Sequence, residues 1–305
     1  MMRNEDMRSS NGRNVLFVFL IIFLCAAFSG CSSVPKKAAE VFTERNLSAN
    51  QLNLANQTAN QGRYEDALHI LTEARRLALS TDDPPLRIKS AMSRGNILFS
   101  LGRHAEAFEE WENAAAEGED SGEPVLAALA RIYAIRGRLV LLANETGESG
   151  SDGSARAAEF KIRLTEELAF VKSDPLSGAA GYVTMGLAEK QLGNWAEAEN
   201  IVLRAQEIHD KNRYLEDAAY DWFLIASIRS VAGNYESSLQ ALRMAISFDR
   251  RAENGFGLAS SWKAMGEVHK KYGRSEESVK AFRRAADIYR AIGLLERAEQ
   301  LEDQL

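Results

Sequence analysis

The chain has 305 residues, 46% hydrophobic and 26% charged, with only 5 Pro and 2 Cys. About one residue in seven is Ala, the strongest helix former, so the chain reads as helix-rich. A net charge of -6 removes the electrostatic footprint of a nucleic-acid binder, and the composition excludes collagen-like, disulfide-stapled and disordered classes. The length fits one elongated domain or two compact ones.

The first element is an address. Arg3, Arg8 and Arg13 precede an apolar run from Val15 to Phe28, followed by Ser29, Gly30 and Cys31. The run is about fourteen residues, whereas a helix crossing the hydrocarbon core needs about twenty, so it reads as an export signal and not a permanent span. Phe28-Ser29-Gly30-Cys31 resembles the lipobox of bacterial lipoproteins, with Phe28 where Leu is usual. The resemblance implies that residues 1–30 are a signal peptide that is removed and that Cys31 takes the lipid. It also implies that residues 31–45 tether the rest to a membrane, at a reach of roughly 45 Å for Ser33 to Arg45 fully extended. Ser32 follows the cysteine, where Asp would signal inner-membrane retention. The outer membrane, facing the periplasm, is therefore favoured within the cell envelope. Cys25 leaves with the signal, so the mature chain keeps only Cys31 and no internal disulfide.

The rest repeats. A Gly, one residue, usually an aromatic, two residues and then a small residue recur from Gly62, Gly102, Gly193, Gly233 and Gly273. The small residues are Ala67, Ala107, Ala198, Ser238 and Ser278. Four residues after each comes a larger one (Leu71, Trp111, Val202, Leu242, Phe282), and three after that always Ala. Most of these glycines are forty residues apart, which defines a period. Each unit predicts a helix hairpin: Gly ends the first helix, and spacings of three and four place the small and large residues on one face of the second. Asp82 and Asp83 before Pro84 and Pro85, and Asp174 before Pro175, match a capping side chain followed by Pro in a first turn.

These residues resemble the tetratricopeptide repeat across most of residues 46–293. The family's small first-helix residue appears as Ala55, Gly95, Gly186, Ala226 and Gly266, and its bulky aromatic as Tyr182, Trp222 and Trp262. The forty-residue period departs from the family's usual 34 and resembles its long-helix variants. The resemblance implies an all-α, right-handed superhelical solenoid of about six helix-turn-helix repeats. Gly102 and Gly193 lie 91 residues apart, so a degenerate unit sits between them. Its first helix starts at Pro124, Gly153 stands at its corner, and residues 144–153 are expected to be an acidic insertion loop. Residues 294–305 read as a closing amphipathic helix with a polar outer face.

No catalytic constellation accompanies the repeats. His69, His104, His209 and His269 occupy four different repeat positions without ligand spacing, and no nucleophile elbow, phosphate-binding loop or zinc-protease motif is present. Neither an enzyme nor a cofactor or metal is expected. In the family the concave groove is lined by fixed first-helix positions, which fall on Leu52, Asn56, Ala59, Lys89, Met92, Asn96, Phe99, Val183, Leu187, Lys190, Tyr220, Phe223, Ser227, Lys263, Glu267, Lys270 and Lys271. Polar amides would open the groove, apolar and aromatic residues fill its middle and a basic cluster close it. Asn56 and Asn96 match amide positions of the clamp that some relatives use for a terminal carboxylate, but Leu52 stands where that clamp needs Lys. The expectation is a lipid-anchored envelope scaffold that binds a protein partner in the groove, with no nucleic acid. The alternative is an accessory component of a periplasmic solute transport system that binds a small ligand.

Overall fold

Each forty-residue period becomes two helices of about equal length because a turn-forming residue recurs every twenty residues. The computed structural model describes residues 42–146 and 151–303, and among these residues there are thirteen helices and no strand. In chain order they are α1 (Thr43–Asn60), α2 (Tyr64–Ser80), α3 (Pro84–Ser100), α4 (His104–Asp120), α5 (Pro124–Thr146), α6 (Ser151–Val171) and α7 (Pro175–Gln191). There follow α8 (Trp195–Lys211), α9 (Leu215–Val231), α10 (Tyr235–Ala252), α11 (Gly255–Lys271), α12 (Ser275–Ala291) and α13 (Leu295–Glu302). The chain divides at Phe42/Thr43, and all of these helices belong to the unit from Thr43 on. The signal segment and Cys31 lie outside the described residues.

The helices pair into six hairpins and one closing helix, an α-helical solenoid. The corner glycines 62, 102, 193, 233 and 273 all have φ between 77 and 81°, left-handed backbone that side chains resist. At Gly62 the glycine N–H donates to the Ala59 carbonyl and the Arg63 N–H to the Thr58 carbonyl, satisfying the last orphan carbonyls of α1. The same pair of bonds recurs between hairpins, at Asp82, Gly122, Arg213, Glu253 and Gly293. Asp82, Arg213 and Glu253 accept φ of 47, 61 and 54° without being glycine. Asp83 and Asp174 cap their helices as expected, accepting from the Leu86 and Ser177 N–H groups ahead of Pro in the first turn. Asn254 adds a third cap, to the Gly257 N–H at 2.9 Å.

Packing follows the small-large-small rule. Ala67, Leu71 and Ala74 are 2% exposed or less, and their equivalents around Trp111, Val202, Leu242 and Phe282 are all buried. Each fully buried large side chain contributes about 1.5–3 kcal/mol of apolar transfer. The first-helix small residue is sized to its neighbour. A Cβ at Gly95 would lie 2.5 Å from Trp111 Nε1, and one at Gly266 would lie 2.7 Å from the Phe282 ring. At Ser238 and Ser278, the hydroxyls donate to the Ala226 and Gly266 carbonyls at 2.7 and 2.8 Å, tying second helix to first.

The degenerate unit is the α5/α6 hairpin, and two expectations about it change. Residues 144–146 continue α5 and residues 151–153 begin α6, so most of the expected loop is helical, and residues 147–150 lie outside the described residues. Gly153 is a helical residue near the start of α6 and not a corner. Gly102 to Gly193 exceeds two periods by eleven residues because α5 and α6 have 23 and 21 residues against 17 in most other helices. Ala-rich and Leu-rich sequence extends the helices instead of looping out.

The solenoid also closes on itself. Ile292, in the turn after α12, packs onto Gly62 and Gly255, where an added Cβ would come within 3.2 and 2.8 Å of its side chain. Phe256 at the start of α11 meets Tyr64 at the start of α2 edge-on, with ring centroids 6.0 Å apart. Arg297 on α13 covers Phe256 at 5.0 Å and donates to the Ser100 carbonyl at 2.9 Å, 197 residues away in sequence. Thus α13 buries Ala298 and Leu301 against the last hairpin and also bolts that hairpin to the first two.

Candidate functional site

Closure converts the groove of an open solenoid into a lumen walled by first helices. A cavity of about 1010 Å³ is lined by residues of α1, α3, α5, α7, α9 and α11, with Tyr64 of α2 beside them. Of the predicted groove residues, Leu52, Asn56, Ala59, Lys89, Met92 and Asn96 reach it. Met92 is 4% exposed, so it presents an edge only. Asn96 Oδ1 is buried without a hydrogen-bond partner among the described residues.

Tyr220 and Phe223 line a smaller cavity in the wall between α9 and α11. Their rings stack at 6.3 Å with an interplanar angle of 19°. Tyr220 keeps 37% of its surface accessible, while protein on all sides raises its hydroxyl pKa. A side chain on a convex face would not combine the two; one lining a hollow does.

The other predicted residues are elsewhere. Phe99 packs within the α3/α4 hairpin, 4.8 Å from the His104 ring and 5.7 Å from that of Trp111. Val183 and Leu187 are 2% and 8% exposed and belong to the main core. At these positions α7 is buried on nearly every side because the long α5 and α6 pack across it, so groove register no longer means exposure. Lys263 pairs with Glu267 at 3.2 Å. Lys263 and Lys270 line neither cavity, so the groove does not close on a basic cluster.

The lumen is acidic instead. Glu123, Asp174, Glu216 and Asp217 line it against Lys89. All four stand at starts of first helices, where carboxylates complement the dipole and cap free N–H groups, and ring closure gathers those helix starts around one hollow. Burial, with Asp217 repelling, raises the Glu216 pKa, and the Asn60 side chain on α1 offsets part of that rise.

The deeper polar groups follow the period. His209 and Asp249 occupy the same position of α8 and α10, forty residues apart, and each meets the first helix of the next hairpin. His209 Nδ1 lies 2.7 Å from Asp221 Oδ2 in a fully buried pair. Burial works against the His209 cation, but the hydrogen bond and charge of Asp221 outweigh it and raise its pKa. Burial pushes Asp221 itself up to about 6. In the next unit Asp249 finds only neutral donors, Asn254 Nδ2 at 2.8 Å and Ser261 Oγ at 3.5 Å. Burial raises it to about 7, with Glu216 repelling. The sequence reading missed Asp249 and Glu216. The signal was available: His209 and Asp249 are polar residues forty apart on a register that is Ala78 and Gly118 in earlier units.

Among the described residues, no group of three His, Cys, Asp or Glu side chains converges as metal ligands, and no helix is long and apolar enough to cross a membrane. No protein-family profile matches the chain, and no curated protein matches it in sequence. Among solved structures, a Rap protein complexed with competence and sporulation factor superposes with a TM-score of 0.54 at 13% identity, covering 85% of this chain and 73% of its own. A thermophilic TPR protein from Thermus thermophilus gives 0.48 at 18% identity, over 70% of this chain and 98% of that one. PilW, a type IV pilus biogenesis factor, gives 0.43 at 14% identity, over 83% and 97%. At these identities the likeness is one of fold.

Proposed function

We propose that this protein is a lipid-anchored scaffold of the bacterial cell envelope, holding a protein partner in the lumen of its ring. A tetratricopeptide-type solenoid supports a protein-interaction role, because stacked hairpins leave a continuous inner surface that single helices do not. The observation that carries the reading is the cavity of about 1010 Å³ walled by first helices, with the stacked Tyr220 and Phe223 in its wall. Accessible aromatics in a concave surface are anchors of the kind that dominate binding energy. The export signal and Cys31 support the envelope location, and Ser32 favours the outer membrane.

Two measurements test this. Mass spectrometry of the mature amino terminus is expected to find diacylglycerol on Cys31, and an unmodified Cys31 contradicts the anchor. Affinity capture of the anchored protein from envelope extracts is expected to recover a protein that is lost from Y220A/F223A. Recovery unaffected by both substitutions contradicts the lumen as the site.

A further inference from the structure

The small cavity in the lumen wall combines aromatic walls with carboxylates, and among the described residues that line it none is a cation. Its volume is about 210 Å³, below the range of about 300–1,000 Å³ that takes drug-sized molecules, so it suits one side chain and not a metabolite of several rings. Tyr220 and Phe223 form one wall and Phe256 lies opposite, on the segment that also closes the ring. Glu216 stands at the edge and Asp249 at the base, 2% exposed and without a cationic partner among the described residues. Asn254 and Ser261 donate to Asp249 from the turn and from α11.

A buried carboxylate without a cation is costly, and this one is held partly protonated near neutral pH. The faces of aromatic rings attract cations, the more so when water is excluded. Around the mouth, the lumen carries Glu123, Asp174 and Asp217 against Lys89, and Arg136 lies over the Tyr133 ring, where its charge reaches Tyr220. Shape, ring faces and charge therefore agree on an organic cation reached through an acidic vestibule.

We infer that this cavity is a specificity pocket for a lysine or arginine side chain of a basic peptide segment, whose ammonium or guanidinium sits between the Tyr220/Phe223 rings and the Asp249 and Glu216 carboxylates. The inference rests on the scaffold reading and names the chemistry of the partner. A bound cation then favours the charged form of Asp249, so a neutral or acidic segment finds an aromatic pocket whose basal carboxyl, held by Asn254 and Ser261, gains no counter-charge.

The test is fluorescence anisotropy on the full-length protein in detergent, with labelled hexa-arginine, hexa-lysine, hexa-glutamate and Gly-Ser hexapeptides, and with agmatine as a free guanidinium. A basic hexapeptide is expected to bind, and E216Q, D249N and F223A to weaken it at least tenfold each. E276Q makes the same charge change on α12, away from the lumen, and is expected to leave binding within twofold. Thermal melting of every variant verifies folding. Equal weakening by E276Q would reduce the effect to general attraction by the net charge and overturn the inference. So would preference for hexa-glutamate or Gly-Ser, or binding of agmatine with none of hexa-arginine. These outcomes leave the scaffold standing, since partner capture sensitive to Tyr220 and Phe223 is measured separately.

Discussion

Asp249 shows how a single residue acquires its chemistry from its place in the repeat. The register it shares with His209 points into the seam between successive hairpins, where His209 finds Asp221 but Asp249 finds only Asn254 and Ser261. The sign of its effect on stability follows. Its pKa rises from 3.8 in the unfolded chain to about 7 in the folded one, so the folded state binds the proton more tightly. Its stabilising contribution is complete below pH 4 and is lost as pH rises towards 7, because burial penalises the carboxylate and the Glu216 charge repels it. D249N, uncharged throughout, is expected to be more stable than the wild type at pH 8, by about 1–3 kcal/mol, and no more stable at pH 4. Urea unfolding at the two pH values measures this; a difference independent of pH contradicts it.

Within the helix pairs, the balance of small and large side chains sets how closely two helices approach. Trp111 fills its groove only because Gly95 opposite it has no Cβ, whereas Leu71 and Leu242 share their units with Ala55 and Ala226. G95A is therefore expected to destabilise the protein by about 1–3 kcal/mol through overpacking. Adding W111L to G95A, which recreates the Ala55/Leu71 arrangement, is expected to recover part of that loss, a coupling that a double-mutant cycle reads directly. This layer was the most legible in the sequence, because glycine corners and small-large spacing are local and repeat. The turns between hairpins were less legible: Asp82, Arg213 and Glu253 adopt left-handed backbone without the glycine that advertises it. The α5/α6 unit was misread for a related reason. A glycine-rich and acidic stretch looks like loop, but residues 144–146 and 151–153 continue helices already favoured by their Ala-rich and Leu-rich neighbours.

At the scale of the whole molecule, the property that matters most is non-local. Arg297 and Ser100, or Tyr64 and Phe256, carry no mutual signal in a single sequence, yet their contacts turn a groove into a lumen and gather the acidic first turns of several helices around it. The predicted groove residues divided by local packing: Asn56, Asn96, Tyr220 and Phe223 lie on hollow surface, while Val183 and Leu187 are core beneath the long α5 and α6 and Phe99 packs within its own hairpin. Ile292 is the wedge of the closure. I292D sets a charge against Gly62 and Gly255 and is expected to increase the radius of gyration in small-angle scattering while helix content by circular dichroism stays unchanged. An unchanged radius contradicts closure by this contact. The measurement that most directly tests the lumen as the partner site is photo-crosslinking in living cells, with a photoreactive amino acid placed at Phe223 inside the ring or at Glu276 outside it. The expected result is a discrete crosslinked protein from position 223 and none from 276; the same crosslinks from both positions, or crosslinks from 276 alone, would contradict it.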